Sequence, residues 1–163
     1  KLSEELEYAD RTGNPINILL FDLDNFKKFN DTYGHTWGDK LLTLFSDIVK
    51  QNIRSSDIPV RYGGEEFLLM IRDLDIETAK SVGDRIRRQL EKQRIFVGEG
   101  ETRRKVTVSC GVAQYPKHAR CIKEAIDCAD KALYRAKETG KNIVVSYDEM
   151  DSVQIDIDSY MSK

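Results

Sequence analysis

Two aspartates, Asp22 and Asp24, stand just past an apolar run over residues 16–21. Two glutamates, Glu65 and Glu66, follow Gly63 and Gly64 in a polar stretch between two further apolar runs. A carboxylate at a strand end can point into a cleft without being buried, and acids crowded together repel until water or a divalent cation relieves them. If the first run lies beside the Gly-Gly turn, Asp22 and Glu65 come within reach of one another. Hard oxygen ligands suit Mg2+, which usually takes one or two carboxylates plus substrate phosphates. A pair of such ions polarises an α-phosphate and lowers the pKa of an attacking hydroxyl. Spacing alone fits an ordinary polar turn as well.

Two further groups point toward a nucleotide. Residues 24–27 open a predicted helix whose free N–H groups could cradle phosphates, with Lys27 and Lys28 beside them. Lys137 and Lys141 flank Gly140 at the end of another predicted helix, where lysine is also a simple complement to the helix dipole. Asn30, His35 and Asp39 form the second group. An aspartate accepts from the N1–H and exocyclic amine of guanine, and an asparagine pairs with its N3 and N2 edge. The plainer roles are an N-cap for Asp39 after Gly38 and a local backbone bond for Asn30.

The elements that must position these residues follow from hydrophobic patterning. The 163 residues make one domain, with a net charge of −2 and 33% charged residues. That balance argues against a generic nucleic-acid binder but permits a small nucleotide ligand, which needs only local charge. No apolar run reaches the ~18–20 residues of a membrane span, and no membrane contact is expected. No signal peptide is visible, and a chain beginning at Lys1 is expected to be a fragment. Cys110, Cys121 and Cys128 lack a C-x-x-C pair and read as reduced packing thiols.

Residues 1–11 read as the end of a helix, followed by a turn over 12–15. Strands are expected over 16–21, 58–62, 67–71, 106–114 and 142–147, and helices over 24–33, 39–53, 76–94 and 122–137. The Gly63-Gly64 pair reads as a hairpin turn in which glycine permits positive φ. Residues 148–163 form a polar, acidic tail. The order of elements gives a mixed sheet with helices packed on it.

The runs Phe21-Asp22-Leu23-Asp24-Asn25-Phe26-Lys27, Asn30-Asp31, Gly34-His35, Gly38-Asp39 and Arg61-Tyr62-Gly63-Gly64-Glu65-Glu66-Phe67 closely resemble the GGDEF family of diguanylate cyclases. So do residues 108–113, 129–134 and 136–142, and the resemblance spans 16–147, the expected catalytic domain. It implies an α/β (α+β) ferredoxin-like palm related to nucleotide cyclases and polymerases. It also implies a reaction in which two GTP molecules condense to cyclic di-GMP and two pyrophosphates, each 3′-hydroxyl attacking the α-phosphate of the other.

Carried over by position, the resemblance implies that Asp22, the Leu23 carbonyl and Glu65 bind two Mg2+ ions, with Mn2+ able to substitute. Glu65 is also the candidate general base. Asn30 and Asp39 would read guanine, with His35 beside them. Asn25, Phe26 and Lys27 would present amides to the β- and γ-phosphates, Lys27 would stabilise transition-state charge, and Lys137 and Lys141 would hold the γ-phosphate. Arg54 and Asp57, with Arg85 from the next helix, resemble the family's inhibitory site for cyclic di-GMP; an exposed turn with a local ion pair is the plain alternative.

Because one domain holds one GTP, a homodimer of two-fold symmetry is implied for catalysis. So are a cytoplasmic location and an upstream sensory domain. The family's Asp-x-Leu-Thr-Gly-Leu-x-Asn-Arg-Arg segment would lie just before the first residue, so truncation is expected. Two other readings are a silent module sensing GTP or cyclic di-GMP, and a cyclase of different base choice. The retained carboxylates oppose the first, and Asp39 opposes the second.

Overall fold

The computed structural model describes residues 2–100 and 102–150. Helix α1 (Leu2–Thr12) leads into strand β1 (Ile16–Leu23), then helices α2 (Phe26–Tyr33) and α3 (His35–Gln51). Strands β2 (Ile58–Arg61) and β3 (Glu66–Arg72) form a hairpin, followed by helix α4 (Ile76–Lys92). A small ribbon of β4 (Ile95–Phe96) and β5 (Arg103–Arg104) precedes β6 (Val108–Tyr115), helix α5 (Ile122–Glu138) and β7 (Val144–Ser146).

The main sheet has the order β2-β3-β1-β6-β7, with β1 antiparallel to both neighbours and β7 parallel to β6. The mixed sheet expected from the sequence is therefore present, in the strand order of a ferredoxin-like palm extended by α5 and β7. Strand β1 is central, so its side chains are buried on both faces. Leu19, Phe21 and Leu23 join the core formed with α2, α3 and α4, while Ile16, Ile18 and Leu20 join the core formed with α5 and Ala9 of α1.

Several boundaries differ from expectation. Strand β1 runs two residues further, because Asp22 and Leu23 pair with Ser109 and Val108 of β6. Helix α3 begins at His35 after Gly34, whose φ of 93° ends α2, so Asp39 lies inside the helix and is not its N-cap. Tyr62 falls in the hairpin loop and not in β2. Gly63 and Gly64 are not among the positive-φ glycines. A Cβ on Gly63 would stand 2.9 Å from Glu66 Oε2, the mobile end of a side chain that can shift to admit it. The ribbon of β4 and β5 was not anticipated. Cys110, Cys121 and Cys128 are free, with Cys121 at the N-cap of α5. Of the predicted tail, Asp148 accepts from Lys117 at 3.0 Å and lies 2.7 Å from His118 Nε2; residues 151–163 lie outside those described.

Two features set the position of the site. Helix α5 lies so close over β6 that a Cβ on Gly111 would meet the Ala129 carbonyl oxygen at 2.0 Å and the Leu133 nitrogen at 2.3 Å. At the far end, a polar clamp joins α4 to the loop before β7. Asn142 donates from Nδ2 to Glu91 at 3.1 Å, and its Oδ1 accepts from Arg87 at 2.9 Å. Hydrogen bonds from Lys105, Asn142 and Arg87 hold the Glu91 carboxyl down at about 2.

Backbone cannot yield to a methyl as a side-chain end can, so Gly111→Ala should destabilise the domain by about 1–3 kcal/mol. A thermal melt should fall by several degrees; an unchanged midpoint would contradict the close packing of α5. Glu91 has a folded pKa below its unfolded value, so its contribution is present above about pH 4.5 and fades as pH falls toward 2. A Glu91→Gln variant should therefore melt below the parent at pH 6, and the gap should narrow on acidification through that window. A gap independent of pH would contradict the clamp's charge.

Candidate functional site

The site lies where β1 ends, β3 begins and α5 finishes. In the β1–β3 register, Asp22 stands opposite Glu66, and directly opposite residues share a face of the sheet. Glu65 lies one position earlier, where its carbonyl accepts from the Leu23 N–H at 3.4 Å. The first strand does lie beside the hairpin, and it is Glu66 that stands across from Asp22.

Lys137, in the last turn of α5, reaches the same point. Its Nζ donates to the Asp22 carbonyl at 3.0 Å, to Asp22 Oδ1 at 3.1 Å and to Asp24 Oδ1 at 2.7 Å. Burial raises the Asp22 pKa, with the charges of Asp24 and Asp130 adding to it and Lys137 opposing. Burial likewise raises Glu66, reinforced by Asp22, Asp130 and Glu65. Asp24 goes the other way. Burial works against its ionisation, but hydrogen bonds from Lys137, Ser109 and Thr107 outweigh it and hold the carboxyl below its ordinary value.

The groups are all oxygen ligands, they carry more negative charge than Lys137 neutralises, and an ammonium already sits among three of their oxygens. They fit a hard cation. Among the described residues no three acidic, imidazole or thiol side chains gather closely enough to hold a metal by themselves. That suits an ion whose remaining ligands are phosphate oxygens.

The phosphate-facing candidates occupy the start of α2. Asn25 takes a left-handed conformation with φ of 57° and leads into the helix, so the first-turn amides lack helical partners. Phe26 commits its side chain to the core, while Lys27 is exposed. Lys141 Nζ donates to Asn25 Oδ1 at 2.7 Å, which brings the second lysine to this same turn.

The base-reading candidates lie at the junction of α2 and α3. Asn30 Oδ1 is buried and has no hydrogen-bond partner among the described residues. A Cβ on Gly38 would stand 1.8 Å from it, so only glycine lets the two helices meet here. The local side-chain-to-backbone bond considered for Asn30 is not made through its Oδ1. Asp39 is exposed and lines a cleft of about 630 Å3 between α3 and the β2–β3 hairpin, with Leu42, Arg61 and Phe67. His35 is exposed at the first residue of α3.

Arg54, Asp57 and Arg85 gather elsewhere, around the end of α3. The Arg54 guanidinium donates to Asp57 Oδ1 at 3.4 Å and to the Arg72 carbonyl at 2.9 Å. Arg54 N–H also donates to Asp57 Oδ2 at 2.8 Å, and Asp57 is buried. Arg85 comes from α4 and donates to both Oδ1 and the carbonyl of Asn52 at 2.8 Å.

Glu66, Asp24, Asp130 and Asn142 belong to this neighbourhood but were not among the site residues inferred from the sequence. Glu66 and Asp24 were visible as acids. Their placement depends on strand register and on partners about eighty to one hundred and twenty residues away, such as Thr107 and Asn142. Asp130 could have been found from its spacing to Lys137, two helical turns along one face.

Comparisons with known proteins agree with this geometry. The model of the family described as diguanylate cyclase, GGDEF domain, matches residues 1–143. The chain is 38% identical over 140 residues to diguanylate cyclase DosC of Escherichia coli, covering 86% of this chain and 30% of that protein. It is 40% identical over 146 residues to diguanylate cyclase A of Treponema denticola, covering 88% of this chain and 39% of that one. The chain thus spans well under half the length of these curated relatives. Among solved structures, the GGDEF domain of DgcB from Caulobacter crescentus in complex with c-di-GMP superposes with a TM-score of 0.84 at 26% identity, covering 90% of this chain and 88% of that one. The active GGEEF domain of a diguanylate cyclase from Vibrio cholerae gives 0.80 at 29% identity, covering 86% and 88%. From this extent of match, the chain belongs to the GGDEF domain family of diguanylate cyclases.

Proposed function

We propose that this domain is the catalytic unit of a diguanylate cyclase, converting two GTP into cyclic di-GMP and two pyrophosphates. The observation that carries the reading is the meeting of Asp22, the acids of the β3 start and Lys137 beside the open N-terminus of α2. In the reaction the 3′-oxygen of each GTP forms a bond to the α-phosphorus of the other, the bond to the β-phosphate oxygen breaks, and the hydroxyl proton passes to a base. Glu65 is that base in this reading, half-exposed at the hairpin where a partner's substrate can approach. Asp22, the Leu23 carbonyl and Glu65, with Glu66 close by, would hold two magnesium ions, which would supply positive charge at the α-phosphate and acidify the attacking hydroxyl.

The remaining residues bind and orient. Amides of Asn25, Phe26 and Lys27 face the β- and γ-phosphates, and the Lys27 ammonium offsets charge that grows in the transition state. Lys137 and Lys141 hold the γ-phosphate. Asn30 and Asp39 read guanine, Asp39 from the exposed face of α3 and Asn30 from α2. One domain holds one GTP, so two domains face each other across a two-fold axis to react. Cyclic di-GMP binds in return at Arg54, Asp57 and Arg85, and feeds back on the enzyme. That a relative's GGDEF domain was solved with c-di-GMP supports this binding. No helix among the described residues is long and apolar enough to cross a membrane. We place the domain in the cytoplasm, under an upstream sensory or regulatory segment.

Incubation with GTP and Mg2+ should yield cyclic di-GMP at a rate that rises faster than linearly with protein. Asp22→Asn and Glu65→Gln should each lower that rate by about 10²–10⁴. GTP that binds to the parent protein yet is never consumed would overturn the enzymatic reading. For feedback, Arg54→Ala should raise the cyclic di-GMP concentration giving half inhibition by about tenfold, the value of a lost bidentate guanine contact. Inhibition at an unchanged concentration would remove Arg54 from the product site.

A further inference from the structure

We propose that Asp24 is a positioning residue for the triphosphate. It holds Lys137 directly, and it holds Lys141 through the turn Gly140-Lys141-Asn142. The inference rests on the reading of the two lysines as phosphate ligands given above, and assigns the buried group that keeps them in place.

The Asp24 side chain is only 2% exposed, against 20% for Asp22. Each of its oxygens accepts two hydrogen bonds. Oδ1 takes Ser109 Oγ–H and Lys137 Nζ, both at 2.7 Å. Oδ2 takes Thr107 Oγ1–H at 2.7 Å and the Asn142 N–H at 3.0 Å. The Asn142 N–H also reaches Ser109 Oγ at 3.1 Å. Both oxygens of the carboxylate thus face protein donors, whereas the Asp22 side chain is the more open of the two. The two aspartates of one short motif divide the work: one stays partly open, the other fixes the two lysines.

The turn explains why such an anchor is needed. Gly140, Lys141 and Asn142 take φ values of 117°, 64° and 51° in succession. Left-handed conformations cost free energy at non-glycine positions and persist where surrounding bonds over-determine them. Asp24 and Ser109 supply those bonds at the Asn142 amide, and Arg87 and Glu91 grip its side chain. With the turn fixed, Lys141 extends to Asn25 at the start of α2. Lys137, one turn earlier, cannot swing away from a buried carboxylate without leaving it unpaired, which is strongly unfavourable.

Replacement by asparagine separates this role from mere filling of space. An amide offers one acceptor and one NH2. Ser109 and Thr107 can reverse their hydroxyls to meet the NH2, but an ammonium and a backbone N–H cannot. Whichever way the amide turns, it releases either Lys137 or the Asn142 turn.

The test is calorimetric binding of a non-hydrolysable GTP analogue and of GDP, each with MgCl2, to the parent and to Asp24→Asn, with a thermal melt to establish folding. Asp24→Asn should weaken the GTP analogue by about tenfold or more and change GDP, which lacks the γ-phosphate, by less than about threefold, because lysine contacts to phosphate are charge-assisted. In a Lys137→Met background the same substitution should cost the GTP analogue at least about fivefold less than in the parent, since residues in one network are not additive. Equal losses for both nucleotides, or strictly additive losses in the double variant, would overturn the inference. Should Asp24→Asn fail to fold, the Thr107→Val and Ser109→Ala pair keeps the charge but loosens its orientation, and should weaken the GTP analogue selectively by about threefold or more; equal binding would overturn the inference. A parent that binds neither nucleotide would instead refute the functional reading on which it rests.

Discussion

The constraint on which this structure turns is the concentration of negative charge at the end of one buried strand. Asp22, Asp24 and Glu66 come together where β1 leaves the sheet and β3 enters it, with Asp130 close enough to be felt. Such a cluster opposes folding unless positive charge meets it. Lys137 meets it through three oxygens and no more. What the protein leaves unneutralised is the affinity that the site offers to further cations. Folding and function make opposite demands on this point, and a single lysine from α5 stands between them.

The remaining architecture brings that lysine and the start of α2 to the same place. Gly111 lets α5 settle against β6, which sets how far Lys137 extends beyond the sheet. Gly38 lets α3 close on α2 over Asn30, whose buried oxygen has no hydrogen-bond partner among the described residues. Glu91 and Arg87 tie α4 to the turn carrying Lys141. The same helix carries Arg85 at the end of α3, so one rigid element touches both the product-site candidates and the lysine turn. Close packing of this kind transmits small displacements without absorbing them.

Much of this was legible in the chain. The apolar run before Asp22, the periodic helices and the Gly-Gly pair were enough for the order of elements and the mixed sheet. Individual reasons were less accessible. Gly63 suggests positive φ, but it is not among the positive-φ glycines, and a Cβ there would meet at close range only the mobile end of the Glu66 side chain. Asp39 after Gly38 has the pattern of a cap, yet Gly34 breaks the chain earlier and α3 starts at His35. Glu66 stands across from Asp22 because of strand register, which pairs residues far apart in sequence and leaves no local signature. Asp24 has the same difficulty. Its role appears only when Thr107, Ser109, Lys137 and Asn142 arrive from three other segments.

The central claim is that the acids at the end of β1 and in the Gly-Gly hairpin jointly hold divalent cations over a purine triphosphate. It is tested most directly by crystals grown with Mn2+ and a non-hydrolysable GTP analogue, using anomalous scattering to locate the metal. The account predicts manganese peaks within coordination distance of Asp22 and Glu65, bridged by phosphate oxygens, with the guanine beside Asn30 and Asp39. Bound nucleotide with no metal peak at Asp22, or with the Glu65 carboxylate turned away from the ions, would contradict it.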